Sequence, residues 1–235
     1  MSASHHPVHV REQYAREDNL RARQALYAEV EGDDAQDVLR RSLREWRPRA
    51  VLEVGGGQGE LAQWLTEELE AAVSFVDQSE RMVELARARG IAAQVGDVQE
   101  LPFEDDSFDT VVAAWMLYHV EDLDRGLAEI ARVLRPGGGL FAVTNSITHL
   151  EELRSLIGYS QELLERFSRE NGGEWLRRHF AAVERIDLEL RVTVRERQRL
   201  VAYQQSLSIP SRPVPDDVEV PFVTHARTSL FFATT

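Results

Sequence analysis

The chain has 235 residues, a formal net charge of −13 and no cysteine. That length fits one substantial α/β domain with extra elements. The missing cysteines exclude disulfides, thiolate zinc sites, cysteine-ligated iron–sulfur clusters and cysteine nucleophiles. All 27 basic residues are Arg, so Schiff-base catalysis and a phosphate-binding P-loop lysine are excluded too. An Arg-only basic set is what a GC-rich bacterial genome produces. The stretch from Glu53 to Glu129 is especially acidic and would repel a phosphate backbone, so a nucleic-acid partner is not expected. The apolar runs are strand-length, and the N-terminal MSASHHPVHVREQY lacks the apolar core of a signal peptide, so a cytoplasmic protein without membrane contact is expected. His5, His6 and His9 lie in a Pro-containing terminus and are read as frayed rather than as a metal tract. No other metal-ligand spacing stands out, and the oligomeric state is not written in the sequence.

In chain order, Arg11 to Glu29 is polar and helix-permissive, and Val38, Leu39, Leu43 and Trp46 then form one apolar helical face before Pro48. Ala50 to Val54 is a first strand, followed by a helix with the stripe Leu61, Trp64, Leu65 and Leu69. Ala72 to Val76 is a second strand, Glu80 to Arg89 a helix, and Ile91 to Val95 a third strand. Phe108 to Ala114 is a fourth; Leu123, Leu127, Ile130 and Leu134 mark another helix, and Gly139 to Thr144 is a fifth strand. Strands separated by helix-length segments predict a parallel sheet with helices on both faces. Beyond Asn145, residues His149 to Glu170 read as two helical pieces broken near Gly158, stopped by Asn171-Gly172-Gly173. A strand at Ala182 to Leu190, a helix at Arg195 to Leu207 and a last strand at Val223 to Ala233 complete the reading.

The chemistry concentrates at strand ends. Strand one runs into Glu53-Val54-Gly55-Gly56-Gly57-Gln58-Gly59, with a helix directly after. Glycines at 55, 57 and 59 permit a tight turn and bring a ligand against backbone amides, and the helix N-terminus favours polar or anionic groups. A dinucleotide fingerprint would need its third glycine where Glu60 stands. A structural turn without a ligand is the alternative for this loop taken alone. One strand later, Asp77 ends strand two, where an acidic residue can accept both ribose hydroxyls. Ser79 is a candidate N-cap, and Met82 sits three residues into the helix. The third segment is Gly96-Asp97-Val98 running to Leu101-Pro102-Phe103 and Phe108-Asp109, and the fourth ends in Leu134-Arg135-Pro136-Gly137-Gly138-Gly139, a helix stop and reversal.

Together these segments, from Val51 to Gly139, resemble the cofactor-binding half of class I S-adenosylmethionine-dependent methyltransferases with an ExGxGxG motif. The resemblance implies a Rossmann-like, seven-stranded, mostly parallel sheet of order 3-2-1-4-5-7-6 with helices on both faces. It also implies S-adenosyl-L-methionine as cofactor. Glu53, Gly55, Gly57, Gln58, Asp77, Gln78, Met82, Asp97, Val98 and Ala114 are then expected to hold it. Asp97 would accept from the adenine amine and the Val98 amide would meet the ring. Similar leading helices close over the methionine end, so Tyr14 or Arg23 is expected at its carboxylate, with a surface salt bridge as the alternative for Arg23.

After strand four, Ala114-Trp115-Met116-Leu117-Tyr118-His119-Val120 is similar to the family's apolar-His-Val loop. His119 is the candidate catalytic residue, as a general base or a substrate-orienting partner, because its ordinary pKa suits proton transfer near neutrality; bracing of the loop is the alternative. Trp115, Tyr118, His119 and Asn145 are the candidate substrate-binding residues, with core packing the competing reading for the aromatics. The expected organisation is an N-terminal helical lid at 1–47, a cofactor-binding core at 48–145, a small helical cap at 146–181 containing Tyr159, Phe167 and Trp175, and C-terminal strands at 182–235. The expected function is in-line transfer of a methyl group to O or N of a small molecule. The alternatives are a C-methyltransferase of the quinone-biosynthesis type and a non-catalytic S-adenosylmethionine-binding protein.

Overall fold

The computed structural model describes residues 22–23, 25–159, 162–207 and 210–235. The chain runs β1 (Val30–Glu31), α1 (Ala35–Trp46), β2 (Ala50–Val54), α2 (Glu60–Leu69), β3 (Ala72–Asp77), α3 (Glu80–Ala88), β4 (Ala92–Val95) and β5 (Phe108–Ala114). It continues through α4 (Leu123–Val133), β6 (Leu134–Asn145), α5 (Glu151–Ile157), α6 (Gly172–Leu176), β7 (Ala182–Val194), α7 (Arg197–Gln205) and β8 (Phe222–Thr234). Single 3-10 turns occupy Leu117–His119 and Glu162–Glu165.

The hydrogen-bonded strand order is β1-β7-β8-β6-β5-β2-β3-β4. Pairing is parallel from β4 through β3, β2 and β5 to β6, and β8 is antiparallel to β6. The seven expected strands therefore stand in the expected order. The eighth, β1, pairs antiparallel with β7; two residues are too few to show the alternation that marks a strand in sequence.

Side-chain alternation explains why the central strands are apolar throughout. Leu52, Val54, Val111, Ala113, Leu140 and Ala142 point into one cluster with Leu127 and Ile130 of α4. Their neighbours Val51, Val112, Phe141 and Val143 point into another with Val38, Leu39 and Leu43 of α1. A strand covered on both faces has no polar side to spare. Asp34 caps α1 by accepting from the backbone amides of Gln36 and Asp37 at 2.7 and 3.3 Å, a contribution of about 1 kcal/mol.

Some boundaries differ from the sequence reading. Asn171-Gly172-Gly173 is not a helix stop: α6 begins at Gly172, and the Asn171 side chain is drawn back to the carbonyl of Glu165 at 2.7 Å. The second helical piece before it is a 3-10 turn at Glu162–Glu165. The strand read from Gly139 begins at Leu134, because the Pro-Gly reversal is an irregularity inside β6 between the pairs Phe108↔Leu134 and Thr110↔Gly139.

Two compact units divide the chain. The larger is drawn from Asp34–Ile147, Glu162–Leu188 and Thr228–Thr235, the smaller from the described residues of 22–33, 148–159 and 189–227. Helix α1, grouped with an N-terminal lid in the sequence reading, thus belongs to the larger unit. The segment 146–181, expected as one cap, is shared between the two. The smaller unit has its own apolar cluster, formed by Leu150, Leu153, Ile157, Val192, Leu200 and Tyr203 among others.

Candidate functional site

The candidate site lies within the larger unit, at the C-terminal ends of β2, β3, β4 and β5, where open α/β sheets hold ligands. In register, Val54 of β2 pairs with Val76 of β3, and the Gly55 amide donates to the Val76 carbonyl at 2.8 Å. The glycine turn and Asp77 thereby become neighbours. Gly57 has φ +59, and a side chain built there would meet nothing within 4 Å. The turn is therefore open at the point where a ligand would touch backbone. Gly56 is required for the opposite reason: an added Cβ would collide with the Glu53 carboxylate.

Glu53 is the most perturbed carboxyl of this turn. It is 2 % exposed, and its Oε2 has no partner. Burial first, and then the nearby Asp77 charge, push its pKa up to about 8 against a backbone hydrogen bond from Ala62. Asp77 is also raised, by burial, with the Ser79 and Gly57 amides acting the other way. A buried and a half-buried carboxyl beside an open backbone turn, the former with an unpartnered oxygen, are suited to hydrogen-bond a ligand's hydroxyls and amino group. Ser79 caps α3 through the Met82 amide at 3.4 Å, and Met82 is buried; Gln78 is exposed.

The third strand-end segment is held by contacts invisible to motif reading. Both oxygens of Asp97 accept from the Gln99 side-chain amide, at 3.0 and 2.9 Å, and Gln99 Oε1 accepts from the Asp122 amide at 2.9 Å. Gln99 therefore fixes the orientation of Asp97 and joins it to the start of α4. Val98 is buried beside them. Asp109 has a structural role: its Oδ2 accepts from the Arg49 and Ala50 amides at 3.1 and 2.9 Å, fastening β5 to the start of β2.

At the end of β5 the chain turns through Trp115, whose φ of +54 is unusual for a bulky residue. Such a conformation costs roughly 1–2 kcal/mol and clusters at functional positions. The Trp115 indole donates to Asn145 Oδ1 at 3.1 Å, and the Thr228 hydroxyl donates to the same oxygen at 3.1 Å. The Asn145 amide nitrogen has no acceptor among the described residues. The rings of Tyr118 and His119 touch at a tilt of 55°, with centroids 4.5 Å apart. His119 Nδ1 is buried without a partner, and burial, followed by the Arg166 charge, lowers its pKa to about 4. Arg166 donates to the carbonyl of Val120 at 3.3 Å; no sequence signal marked it.

Glu53, Gly55, Gly57, Gln58, Asp77, Gln78, Met82, Asp97, Val98 and Ala114 thus share the strand ends of one unit with Trp115, Tyr118, His119 and Asn145. Tyr14 lies outside the described residues. Arg23 belongs to the smaller unit, where it donates to the Ser206 carbonyl at 3.0 Å. Among the described residues, no group of three His, Asp or Glu side chains is placed to hold a metal ion, and no helix is long and apolar enough to cross a membrane.

Comparison with known proteins gives this geometry a context. The methyltransferase domain family matches residues 52–142. The chain is 39% identical over 98 residues to the methyltransferase GfsG of Streptomyces halstedii, covering 38% of this chain and 35% of that protein. It is 36% identical over 128 residues to the ubiquinone/menaquinone biosynthesis C-methyltransferase UbiE of Geotalea daltonii, covering 43% of this chain and 54% of the relative. The chain thus spans between about a third and about a half of these two relatives. Among solved structures, Phospholethanolamine N-methyltransferase 2 of Haemonchus contortus, in complex with phosphomonomethylethanolamine and S-adenosylhomocysteine, superposes with a TM-score of 0.62 at 18% identity. That superposition covers 96% of this chain and 59% of the other.

Proposed function

We propose that this chain, whose residues 52–142 form a methyltransferase domain of the class I α/β fold, is an S-adenosyl-L-methionine-dependent methyltransferase acting on O or N of a small molecule. The observation that carries the reading is the pairing of an open backbone turn at Gly57 with two raised carboxyls, Glu53 and Asp77, on adjacent strand ends. These residues fit the cofactor's chemistry: Asp77 has the position and the acceptor oxygens to take the ribose hydroxyls, and the unpartnered Glu53 oxygen suits the region of its amino group. In this reading Gly55, Gly57 and Gln58 present the turn, Gln78 and Met82 flank the adenosine, Asp97 and Val98 meet the adenine edge, and Ala114 closes the floor.

The cofactor, when bound, supplies a methyl already activated on a sulfonium. The chain's own task is to align the acceptor in line with that methyl and to exclude water. Trp115 and Tyr118 provide apolar walls, the Asn145 amide nitrogen offers a fixed donor, and His119 faces the acceptor. The net negative charge disfavours nucleic acid as acceptor and is in keeping with a small-molecule partner and a cytoplasmic location. Similarity to the UbiE relative favours one alternative, transfer to carbon of a quinone-like ring. Incubation with isotopically labelled cofactor and a panel of small acceptors tests the reading. A gain of one methyl mass is expected, and cofactor binding without transfer to any acceptor would point to a binding protein instead.

A further inference from the structure

Arg166 follows the 3-10 turn Glu162–Glu165, which packs against the 3-10 turn Leu117–His119. Its Nη1 donates to the carbonyl of Val120, the residue after His119, at 3.3 Å, and its backbone carbonyl accepts from Asn171 Nδ2 at 3.4 Å. Among the described side chains, the bond to Val120 is the guanidinium's one hydrogen bond. A half-buried guanidinium with donors to spare is therefore fastened to the backbone beside the candidate catalytic histidine.

The same corner determines which proton His119 carries. Its Nδ1 is buried with no hydrogen-bond partner, and among the described residues no hydrogen bond is made by Nε2. A proton on Nδ1 would be a buried N–H without a partner, which folded proteins strongly avoid. A proton on Nε2 avoids that cost, and the Arg166 charge discourages a second proton. A ring of this kind is a hydrogen-bond donor and a poor proton acceptor near neutrality.

We propose that Arg166 and the Nε2–H of His119 together bind an oxyanion of the methyl acceptor, a carboxylate or a phenolate, so that the acceptor arrives already deprotonated and His119 orients it rather than acting as a base. This rests on the methyltransferase reading above. In the step, an oxygen lone pair forms the O–CH3 bond as the carbon–sulfur bond breaks. The bonding pair passes to sulfur, leaving a neutral thioether and a methyl ester or ether, and no proton needs to be removed. Arg is suited to the first part because its planar donors match a carboxylate.

Two experiments on the full chain test this. Long-range 1H–15N spectra at pH 7, with His119 assigned by H119Q, are expected to show a neutral ring protonated on Nε2; protonation on Nδ1 or an imidazolium would overturn the proposal. Calorimetry on protein saturated with S-adenosylhomocysteine then compares benzoate with benzamide. The wild type is expected to prefer benzoate by about tenfold or more, R166K to keep most of that preference and R166Q to lose it. Equal affinities in the wild type, or a preference surviving in R166Q, would overturn it. H119Q, which keeps a donor near the Nε2 position, is expected to retain benzoate preference, and its loss there would count against the proposal. Unchanged S-adenosylhomocysteine affinity in R166Q shows an intact fold. Failure of the wild type to bind S-adenosylhomocysteine at all would instead contradict the methyltransferase reading.

Discussion

The indole of Trp115 donates to Asn145 Oδ1 at 3.1 Å, tying the ends of β5 and β6 together across the corner where the acceptor is proposed to lie. The bond is made from a left-handed backbone position, so the strain is spent on aiming one side chain. Replacing Trp115 by Phe removes the donor, worth about 1 kcal/mol, and leaves Asn145 Oδ1 held by the Thr228 hydroxyl alone. W115F is expected to lower kcat/KM for the acceptor by about tenfold while leaving S-adenosylhomocysteine affinity unchanged. A parallel loss of cofactor affinity would place Trp115 at the cofactor instead.

Gly56 and Glu53 cannot both carry full side chains, since a Cβ at 56 would enter the Glu53 carboxylate. G56A is expected to destabilise the fold by about 1–3 kcal/mol, the range for overpacking. The double variant E53A/G56A should cost distinctly less than the sum of its singles, because the clash is gone. Additive losses in chemical denaturation would show that the strain lies elsewhere.

Burial of Glu53 also sets a pH dependence. Its folded pKa, about 8, lies above the ordinary 4.5, so between those values the folded state holds a proton that the unfolded chain has released. Stability contributed by this group is full below pH 4.5 and declines as pH rises towards 8. Thermal melts of wild type and E53Q should therefore diverge with rising pH, the variant gaining relative to wild type. A constant difference from pH 5 to pH 9 would contradict this account.

What could be read in advance depended on sequence distance. The glycine turn, Asp77 and Met82 lie within one β-α-β stretch, where strand ends and helix starts fall at fixed spacings. The alternation of strands and helices fixed the sheet order once the family resemblance was added. Gln99 was missed because its role joins Asp97 to the Asp122 amide, and nothing in a Gln codes for that. Arg166 was missed because it meets the His119 turn from 46 residues away. The Asn171-Gly172-Gly173 stretch misled because Gly pairs usually end helices, whereas packing of Gly172 against Phe231 and Phe167 demands a small residue at a helix start. For His119, burial of Nδ1 and the lowered pKa favour the orienting role over the base among the roles its sequence context allows.

Titration calorimetry with S-adenosylhomocysteine asks whether the strand-end turn binds the cofactor through Asp77 and its neighbours. One site per chain is expected in the wild type, with affinity falling at least tenfold in D77A, as loss of a hydrogen bond to a charged group of about 1.5–3 kcal/mol requires. No heat of binding in the wild type, or an affinity untouched in D77A, would contradict it.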